Sequence, residues 1–189
     1  MAESYRESFD YIRNSRNFIY SIIIVFLFFS LIGFFIPAPP ALEAKILEFI
    51  EELLRKTAGL SQGELIRFIF LNNIQSSFIG MIFGIILGVF PILTTLANGY
   101  LLGFVAAKTA EGAGIFILWR LLPHGIFELP ALFISLGLGL KLGTFAFKKN
   151  KFETLSLYLT KSIKVFFFIV IPLLIIAAII EGSLISLLN

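Results

Sequence analysis

The sequence has no cysteine, one histidine and one tryptophan among 189 residues, and charged residues make up only 14% of it. Without cysteine, disulfides, thiolate metal sites and a cysteine nucleophile are excluded. Soluble domains carry about 25% charged residues, so this chain has too few to cover the surface of a water-soluble enzyme. Hydrophobic residues make up 58% of the chain, and the mean hydropathy is +0.97. This composition indicates a single integral membrane domain.

The chain carries a formal net charge of +3. Its basic residues have neither the aromatic interleaving nor a motif typical of nucleic-acid binding. Basic segments that face an anionic membrane leaflet explain them better. We therefore expect a lipid bilayer as the environment, no nucleic-acid partner and no cofactor.

Apolar stretches predict an all-α fold, a polytopic transmembrane helix bundle of about five spans. The first stretch, Phe18 to Ile36, is uncharged and has about the ~20 residues that cross a bilayer. A secretory signal peptide is the alternative, but its apolar region is shorter, roughly 7 to 15 residues. We divide the single domain, residues 1–189, into a first span (18–36), an extracytoplasmic amphipathic region (37–71), a core of glycine-rich and broken helices (72–143), a basic cytoplasmic loop (144–164) and a last span (165–181).

The segment from Leu42 to Lys56 has apolar residues at helical spacing with charged residues between them. It predicts an amphipathic helix, which is either a surface helix of the same domain, a helix on the membrane surface or a docking site for a partner. Ser61 and Glu64 form the sequence pattern of a capping box. They predict the start of the next helix.

Glycines recur at spacings that suit close helix packing. Gly80, Gly84 and Gly88 fall every fourth residue, and small residues at that spacing let a neighbouring helix approach closely. Packing within one chain is favoured over dimerisation. The further glycines interpreted in this way are Gly99, Gly103, Gly137, Gly139 and Gly143.

Two local features predict where helices end in this half of the chain. Pro91 is expected to end or kink the glycine-rich helix, because proline removes a helical hydrogen bond. Thr94, Thr95 and Asn98 follow and can satisfy backbone groups locally. The residues from 108 to 114 are expected to form a loop.

The segment from Leu121 to Phe133 places the only histidine, a glutamate and two prolines in apolar sequence. Pro123 and Gly125 argue against a continuous helix, so we predict a broken or re-entrant helix around Pro123 to Pro130. Ionisable residues in a membrane are costly and usually mark a site. The predicted intramembrane polar cluster comprises Arg120, His124 and Glu128, which are four residues apart, together with Asn72, Asn73 and Asn98.

Charge asymmetry predicts the orientation. The arginine-bearing N-terminus and the lysine-rich 144–164 segment should face the cytoplasm, and the acidic 37–71 region should lie outside. Four crossings fit between the two basic segments, and a fifth takes the C-terminus outside. Because the third and fourth spans are short or interrupted, a re-entrant segment is an alternative there.

Three groups of residues give the chain a family resemblance: Asn72-Asn73, the ladder Gly80/Gly84/Gly88, and Asn98-Gly99-Tyr100-Leu101-Leu102-Gly103. The segment Leu121-Leu122-Pro123-His124-Gly125-Ile126-Phe127-Glu128-Leu129-Pro130-Ala131 is the most specific element. In these residues the chain resembles the stage II sporulation protein M family. The resemblance implies a multi-pass protein of the cell membrane with about five spans. In spore formers, members act as scaffolds that recruit cell-wall-degrading partners during engulfment, and relatives occur in organisms that make neither spores nor peptidoglycan.

Three hypotheses about function follow. The first is a non-enzymatic scaffold that assembles or recruits protein partners, or forms a homo-oligomer. The second is a small transporter or permease component with a proton or cation site at His124 and Glu128. The third is an intramembrane metalloenzyme, for which these two residues are weak candidate ligands. Catalytic zinc normally has three protein ligands, and the chain has one histidine. We expect a scaffold and no catalytic residues.

Overall fold

The computed structural model describes residues 2–114 and 122–188, and within these ranges the chain is helical without strands. Eight α-helices are described: α1 (Ala2–Asn14), α2 (Arg16–Phe35), α3 (Pro40–Thr57), α4 (Gln62–Ile82), α5 (Val89–Ala113), α6 (Leu122–Gly143), α7 (Lys151–Val165) and α8 (Ile171–Leu188). Five segments of the described chain are long and apolar enough to cross a membrane: Arg16–Phe35, Gln62–Ile85, Val89–Gly112, Gly125–Phe147 and Lys151–Leu187. The predicted all-α bundle of about five spans is confirmed.

The last of these segments is unusually long. A five-residue π-helical segment, Phe166–Val170, joins α7 to α8, so that the backbone is helical from Lys151 to Leu188. At 1.5 Å per residue the 37-residue segment Lys151–Leu187 is about 55 Å long. This exceeds the ~30 Å hydrocarbon core of a bilayer. The lysine-rich α7 therefore extends beyond the membrane, and residues 144–164, which were expected to form a loop, are largely helical.

The predicted capping box at the start of α4 is confirmed. The backbone N–H of Ser61 donates to Glu64 Oε2 at 2.9 Å, and the Glu64 N–H faces Ser61 Oγ at 3.5 Å. The Ser61 hydroxyl also donates to the same carboxylate at 2.6 Å. These bonds satisfy backbone donors that would have no partner inside the helix.

The prediction for Pro91 is wrong. The helix ends earlier, in a 3-10 turn at Phe83–Ile85, and the chain reverses where Leu87 (φ 51°) and Gly88 (φ 72°) adopt left-handed backbone conformations. A new helix, α5, begins at Val89, so Pro91 lies in its first turn. Proline is tolerated there because the first N–H groups of a helix have no helical acceptor.

Helix α5 continues further than the sequence suggested. It runs to Ala113 and is followed by Gly114 at φ 82°, so the expected loop from residue 108 is helical except for its last residue. Alanines and the charged pair Lys108 and Glu111 suit a helix. Both α5 and the described part of α6 are long enough to cross the membrane. The re-entrant alternative is therefore not needed for either helix.

The described backbone also has no break between Pro123 and Pro130. Helix α6 runs without interruption from Leu122 to Gly143, with Pro130 inside it. Pro123 lies within this described helical range. Glycines lower the helix propensity of the rest of α6, but apolar side chains of several neighbouring helices pack against it and stabilise it. The backbone before Leu122, including Arg120, lies outside the described residues.

Helix α6 forms the centre of the bundle. Leu136, Leu138 and Leu142 on this helix are fully buried, and Leu174 on α8 is buried with them. More than half of the α6 span is buried, against a third or less of each other candidate span. The remaining helices therefore pack around α6 and present much of their apolar surface outward, as expected of helices in lipid.

Two ion pairs and one hydrogen bond show which helix ends lie together. Lys164 on α7 contacts Glu7 on α1 at 2.7 Å, so the two basic segments lie at one end of the bundle. Lys108, near the end of α5, contacts Glu43 on α3 at 2.7 Å. Gln62 at the start of α4 donates to Ser183 on α8 at 3.0 Å. The acidic α3 and the C-terminal part of α8 therefore lie at the opposite end, as five crossings require.

Candidate intramembrane polar site

Contacts at glycines align α4, and the turn that follows it, with α6. Gly80 lies against Leu136, Gly84 against Gly139, and Gly143 against the Gly88 amide. The sequence numbers in these pairs differ by 55 or 56 and rise together, so the two segments run parallel. The same offset places Asn73 level with Glu128. Both residues also lie on the facing stripes, because helical residues that are three, four, seven or eleven apart share a face.

The asparagines of the predicted cluster make short-range contacts. Asn72 Nδ2 donates to Asn73 Oδ1 at 3.4 Å, a long hydrogen bond. Asn98 Nδ2 donates to the backbone carbonyl of Thr94, one turn earlier on α5, at 2.8 Å. Glu128 is half-buried on α6. The register thus aligns Asn73 with Glu128, whereas Asn72 lies on the exposed side of α4 and Asn98 bonds within its own helix.

The remaining members of the predicted cluster can be placed only in part. Arg120 lies outside the described residues. Pro123, His124, Gly125 and Pro130 all belong to the described part of α6. The cluster as a whole stays a prediction.

A polar groove lies beside these residues, between α4 and α5. Its cavity has a volume of about 310 Å³, and its polar lining consists of Asn72, Gln75, Ser76 and Thr94. Of these four residues, only Asn72 belonged to the predicted cluster. The spacing of three and four residues from Asn72 to Gln75 and Ser76 is the sequence signal that would have found the other α4 residues.

A second buried polar contact surrounds Lys141 near the basic end of α6. This lysine is 7% exposed, and its Nζ donates to Ser15 Oγ at 2.9 Å. The same nitrogen lies 3.9 Å from the ring centre of Tyr11 and 5.2 Å from that of Tyr158. Cation–π contacts of this kind stabilise a desolvated ammonium group. One side chain thereby connects α6 with α1, the α1–α2 junction and α7.

Two groups of α1, outside the spans, have shifted pKa values. Burial, which disfavours the phenolate, raises the pKa of Tyr11 to about 12; nearby Tyr158 adds to this and the Ser162 hydroxyl opposes it. The hydrogen bond and positive charge of Lys164 lower the pKa of the exposed Glu7 carboxyl. Tyr11 is therefore neutral, and Glu7 is charged, at physiological pH.

The glycines interpreted as packing positions lie against other helices. Gly99 and Gly103 on α5 meet the Phe26 and Ser30 carbonyls of α2, and Gly137 on α6 meets Ile19 of the same helix. A methyl group at any of these glycines would clash with backbone or side-chain atoms. Close backbone approach therefore holds α2 against α5 and α6.

Comparison with known proteins assigns the family. The family model described as stage II sporulation protein M matches residues 22–184. The chain belongs to this family. The match includes all five candidate spans in whole or in part, together with both asparagines and the Pro123 to Pro130 segment.

One curated relative in the comparison is "Uncharacterized protein MJ0706" of Methanocaldococcus jannaschii. It is 34% identical over 139 residues, which cover 70% of this chain and 61% of the relative. The chain thus spans less than two thirds of that protein's length. No solved structure matches the chain.

The described part of the chain offers few metal ligands. Within residues 2–114 and 122–188, no group of three His, Cys, Asp or Glu side chains is placed to hold a metal ion. Catalytic zinc normally needs three protein ligands.

Proposed function

We propose that this member of the stage II sporulation protein M family is a non-enzymatic membrane scaffold. In this proposal it recruits a partner protein at the end of the bundle where α3 lies. The observation that carries the proposal is that none of the residues of α3 is buried. A helix of 18 residues rarely forms without covering its apolar face, so α3 is suited to contact something beyond its own chain.

The apolar surface of α3 extends beyond the part that the bundle covers. Ile46, Ile50 and Leu53 form a half-buried stripe. Successive residues of a helix are about 100° apart around its axis, so the positions of the exposed apolar side chains place them on both sides of this stripe. They are Leu42 and Phe49 on one side and Leu47 and Leu54 on the other, with exposed fractions from 40% to 63%. We call these four residues the α3 surface.

An ion pair holds this surface in place. Glu43 accepts from Lys108 at 2.7 Å, and Lys108 also lies 3.6 Å from Glu111 on its own helix. The pair is partly exposed, so it contributes little stability by itself. The pair places one end of α3 beside the end of α5. The α3 surface is therefore accessible beside the bundle, which favours contact with a partner.

Site-specific photocrosslinking in cells tests the scaffold. A photoreactive amino acid at Phe49 is expected to capture one defined protein, identified by mass spectrometry. The matched control places the same amino acid at Phe28, an exposed residue of the α2 span, which should capture lipid. Replacing Leu42 and Leu54 by serine should abolish capture from position 49 while membrane insertion is retained. Lipid alone at position 49 would contradict the proposal and assign α3 to the membrane surface.

A small transporter is the second candidate, and its support is narrower. Transporter sites commonly use broken helices whose free carbonyls bind ions, but α6 is unbroken from Leu122 onward. The observation that still favours this candidate is the alignment of Asn73 with Glu128. Thermal unfolding of the purified protein across pH and mono- and divalent cations tests it, with Glu128→Gln and His124→Ala compared. A cation-dependent rise in stability that both variants lose would favour transport.

A further inference from the structure

Uncharged polar side chains face outward near the middle of a membrane span. Asn72, Gln75 and Ser76 are exposed on α4, close to the centre of the Gln62–Ile85 segment. Thr94 on α5 completes the polar lining of the 310 Å³ groove. In the bundle as described, this face of the protein would meet lipid hydrocarbon.

Such an arrangement is costly for a single copy. An amide or hydroxyl group without a hydrogen-bond partner in an apolar environment is destabilising. The amide of Asn72 has only the long bond to Asn73, and the α4 backbone uses its own carbonyls within the helix. Polar side chains of this type commonly bond across helices in membranes. The groove is therefore suited to contact another transmembrane surface.

The chemistry of the groove selects the kind of surface that fits. Its described lining contains no ionisable residue, so it offers no opposite charge to a charged ligand. Amide side chains donate and accept hydrogen bonds, as do hydroxyl groups, and the groove is therefore complementary to itself. Ile79 and Phe90 add exposed apolar surface at its edges. A self-complementary patch is what a two-fold interface requires, because the same residues meet from both sides.

We propose that the α4–α5 groove is the contact between two copies of this chain. Both copies insert in the same orientation, so the two-fold axis is normal to the membrane and the α4 helices meet in parallel. Gln75 and Ser76 then lie near the same residues of the second copy. This contact is separate from the α3 surface. A chain that fails to dimerise would still carry α3, so failure of one proposal is distinguishable from failure of the other.

Disulfide crosslinking tests the dimer directly because the natural chain has no cysteine. Gln75→Cys and Ser76→Cys are expected to form a disulfide-linked homodimer in oxidised membranes, at twice the 21.1 kDa mass of the chain. Matched controls are Phe28→Cys and Ile176→Cys, two exposed positions on other spans. They should remain monomeric. Equal yields at all four positions, no product, or a disulfide to a different protein would each overturn the proposal.

A second measurement isolates the amide groups. In the Ser76→Cys chain, replacing Asn72 and Gln75 by leucine should lower the rate of disulfide formation about tenfold, because the cross-helix hydrogen bonds are lost. Leucine keeps the helix and suits lipid, and a thermal unfolding curve checks that the variant is folded. A folded variant that crosslinks at the unchanged rate would overturn the assignment of this groove as a polar interface.

Discussion

Lys141 shows how one residue can fix the arrangement of several helices. Its ammonium group is buried, and its contacts come from Ser15, Tyr11 and Tyr158. The sequence could indicate a lysine at the basic end of a span but not these partners, since they lie far away along the chain. Tyr11 and Ser15 precede Lys141 by more than a hundred residues. The contacts of Tyr11 and Ser15 with Lys141 depend on the packing of α1 against α7. No local sequence pattern indicates this packing.

We expect Tyr11→Leu to destabilise the protein by about 2 kcal/mol, the size of a desolvated cation–π contact. The ring is replaced by an apolar side chain that cannot stabilise the Lys141 ammonium. The free energy of unfolding in detergent measures the change. Tyr20→Leu is the control, because Tyr20 is 57% exposed.

A double-mutant cycle separates the charge contact from lost packing. In a Lys141→Met chain the effect of Tyr11→Leu should be smaller, because no buried charge remains to be stabilised. An equal loss in both backgrounds would show that the ring contributes packing alone.

The pair of Glu7 and Lys164 should make α1 docking sensitive to acid. Lys164 lowers the pKa of Glu7 below its ordinary value of 4.5. The stabilising effect is therefore complete above pH 4.5 and is lost as pH falls through the lower folded-state pKa. Unfolding temperatures of wild type and Lys164→Gln, measured from pH 7 down to pH 3, should converge at the acid end. Because the pair is exposed, added salt should reduce the difference at neutral pH, and a difference that persists at pH 3 would contradict this assignment.

At the scale of helices, the α2–α5 contact depends on the absence of side chains. Gly99 and Gly103 lie directly against carbonyl oxygens of α2. A methyl group there cannot be accommodated without moving a helix, because the nearest atoms belong to the backbone. This contact therefore determines how the first span is held in the bundle.

Two alanine substitutions on α5 should change the free energy of unfolding in opposite directions. Gly103→Ala is expected to destabilise the protein by about 1–3 kcal/mol, since its methyl group would collide with the Ser30 carbonyl. Gly112→Ala, on the same helix, meets nothing within 4 Å and should stabilise it by about 0.5–1 kcal/mol through helix propensity. Unfolding free energies of both variants measure the contrast. Equal effects would show that α2 does not pack closely against α5.

Helix boundaries show where sequence reasoning reached its limit. Hydropathy and charge predicted the number of spans because each span must satisfy its backbone internally in lipid. Proline and glycine were less informative, since their effect depends on position within a helix. Pro91 lies in the first turn of a helix, where proline is compatible with helical structure, and Pro130 lies inside the unbroken α6. The actual reversal at Leu87 and Gly88 depends on left-handed backbone geometry that Leu87 would not suggest.

At the scale of the whole molecule, the two ends differ in their balance of charge. Residues 1–17 and 144–164 together hold eight basic and four acidic residues, whereas α3 holds four glutamates and three basic residues. The sequence predicted this difference, because basic segments tend to stay in the cytoplasm. The candidate site was harder to predict. The level alignment of Asn73 with Glu128 emerges only from the packing of α4 against α6.

Orientation can be measured with single cysteines in the cysteine-free chain. Lys45→Cys on α3 should react with a membrane-impermeant maleimide added to intact cells. Lys149→Cys, just before α7, should react only after permeabilisation, because the charge asymmetry predicts that the basic end faces the cytoplasm. Labelling in the reverse pattern would show that the protein has the opposite orientation. Labelling of both positions in intact cells would be inconsistent with the three crossings, α4, α5 and α6, that lie between them.

The uninterrupted helix from Lys151 to Leu188 has a mechanical consequence. A rod about 55 Å long crosses the bundle and projects from its basic end, so a force applied to α7 acts on a lever arm outside the membrane. The π-helical segment Phe166–Val170 lies where the rod enters the apolar bundle, with Val165, Phe166 and Val170 buried. Tilting α7 would therefore displace α8 without a loop to absorb the motion. Load at the basic end is transmitted to the opposite face of the bundle.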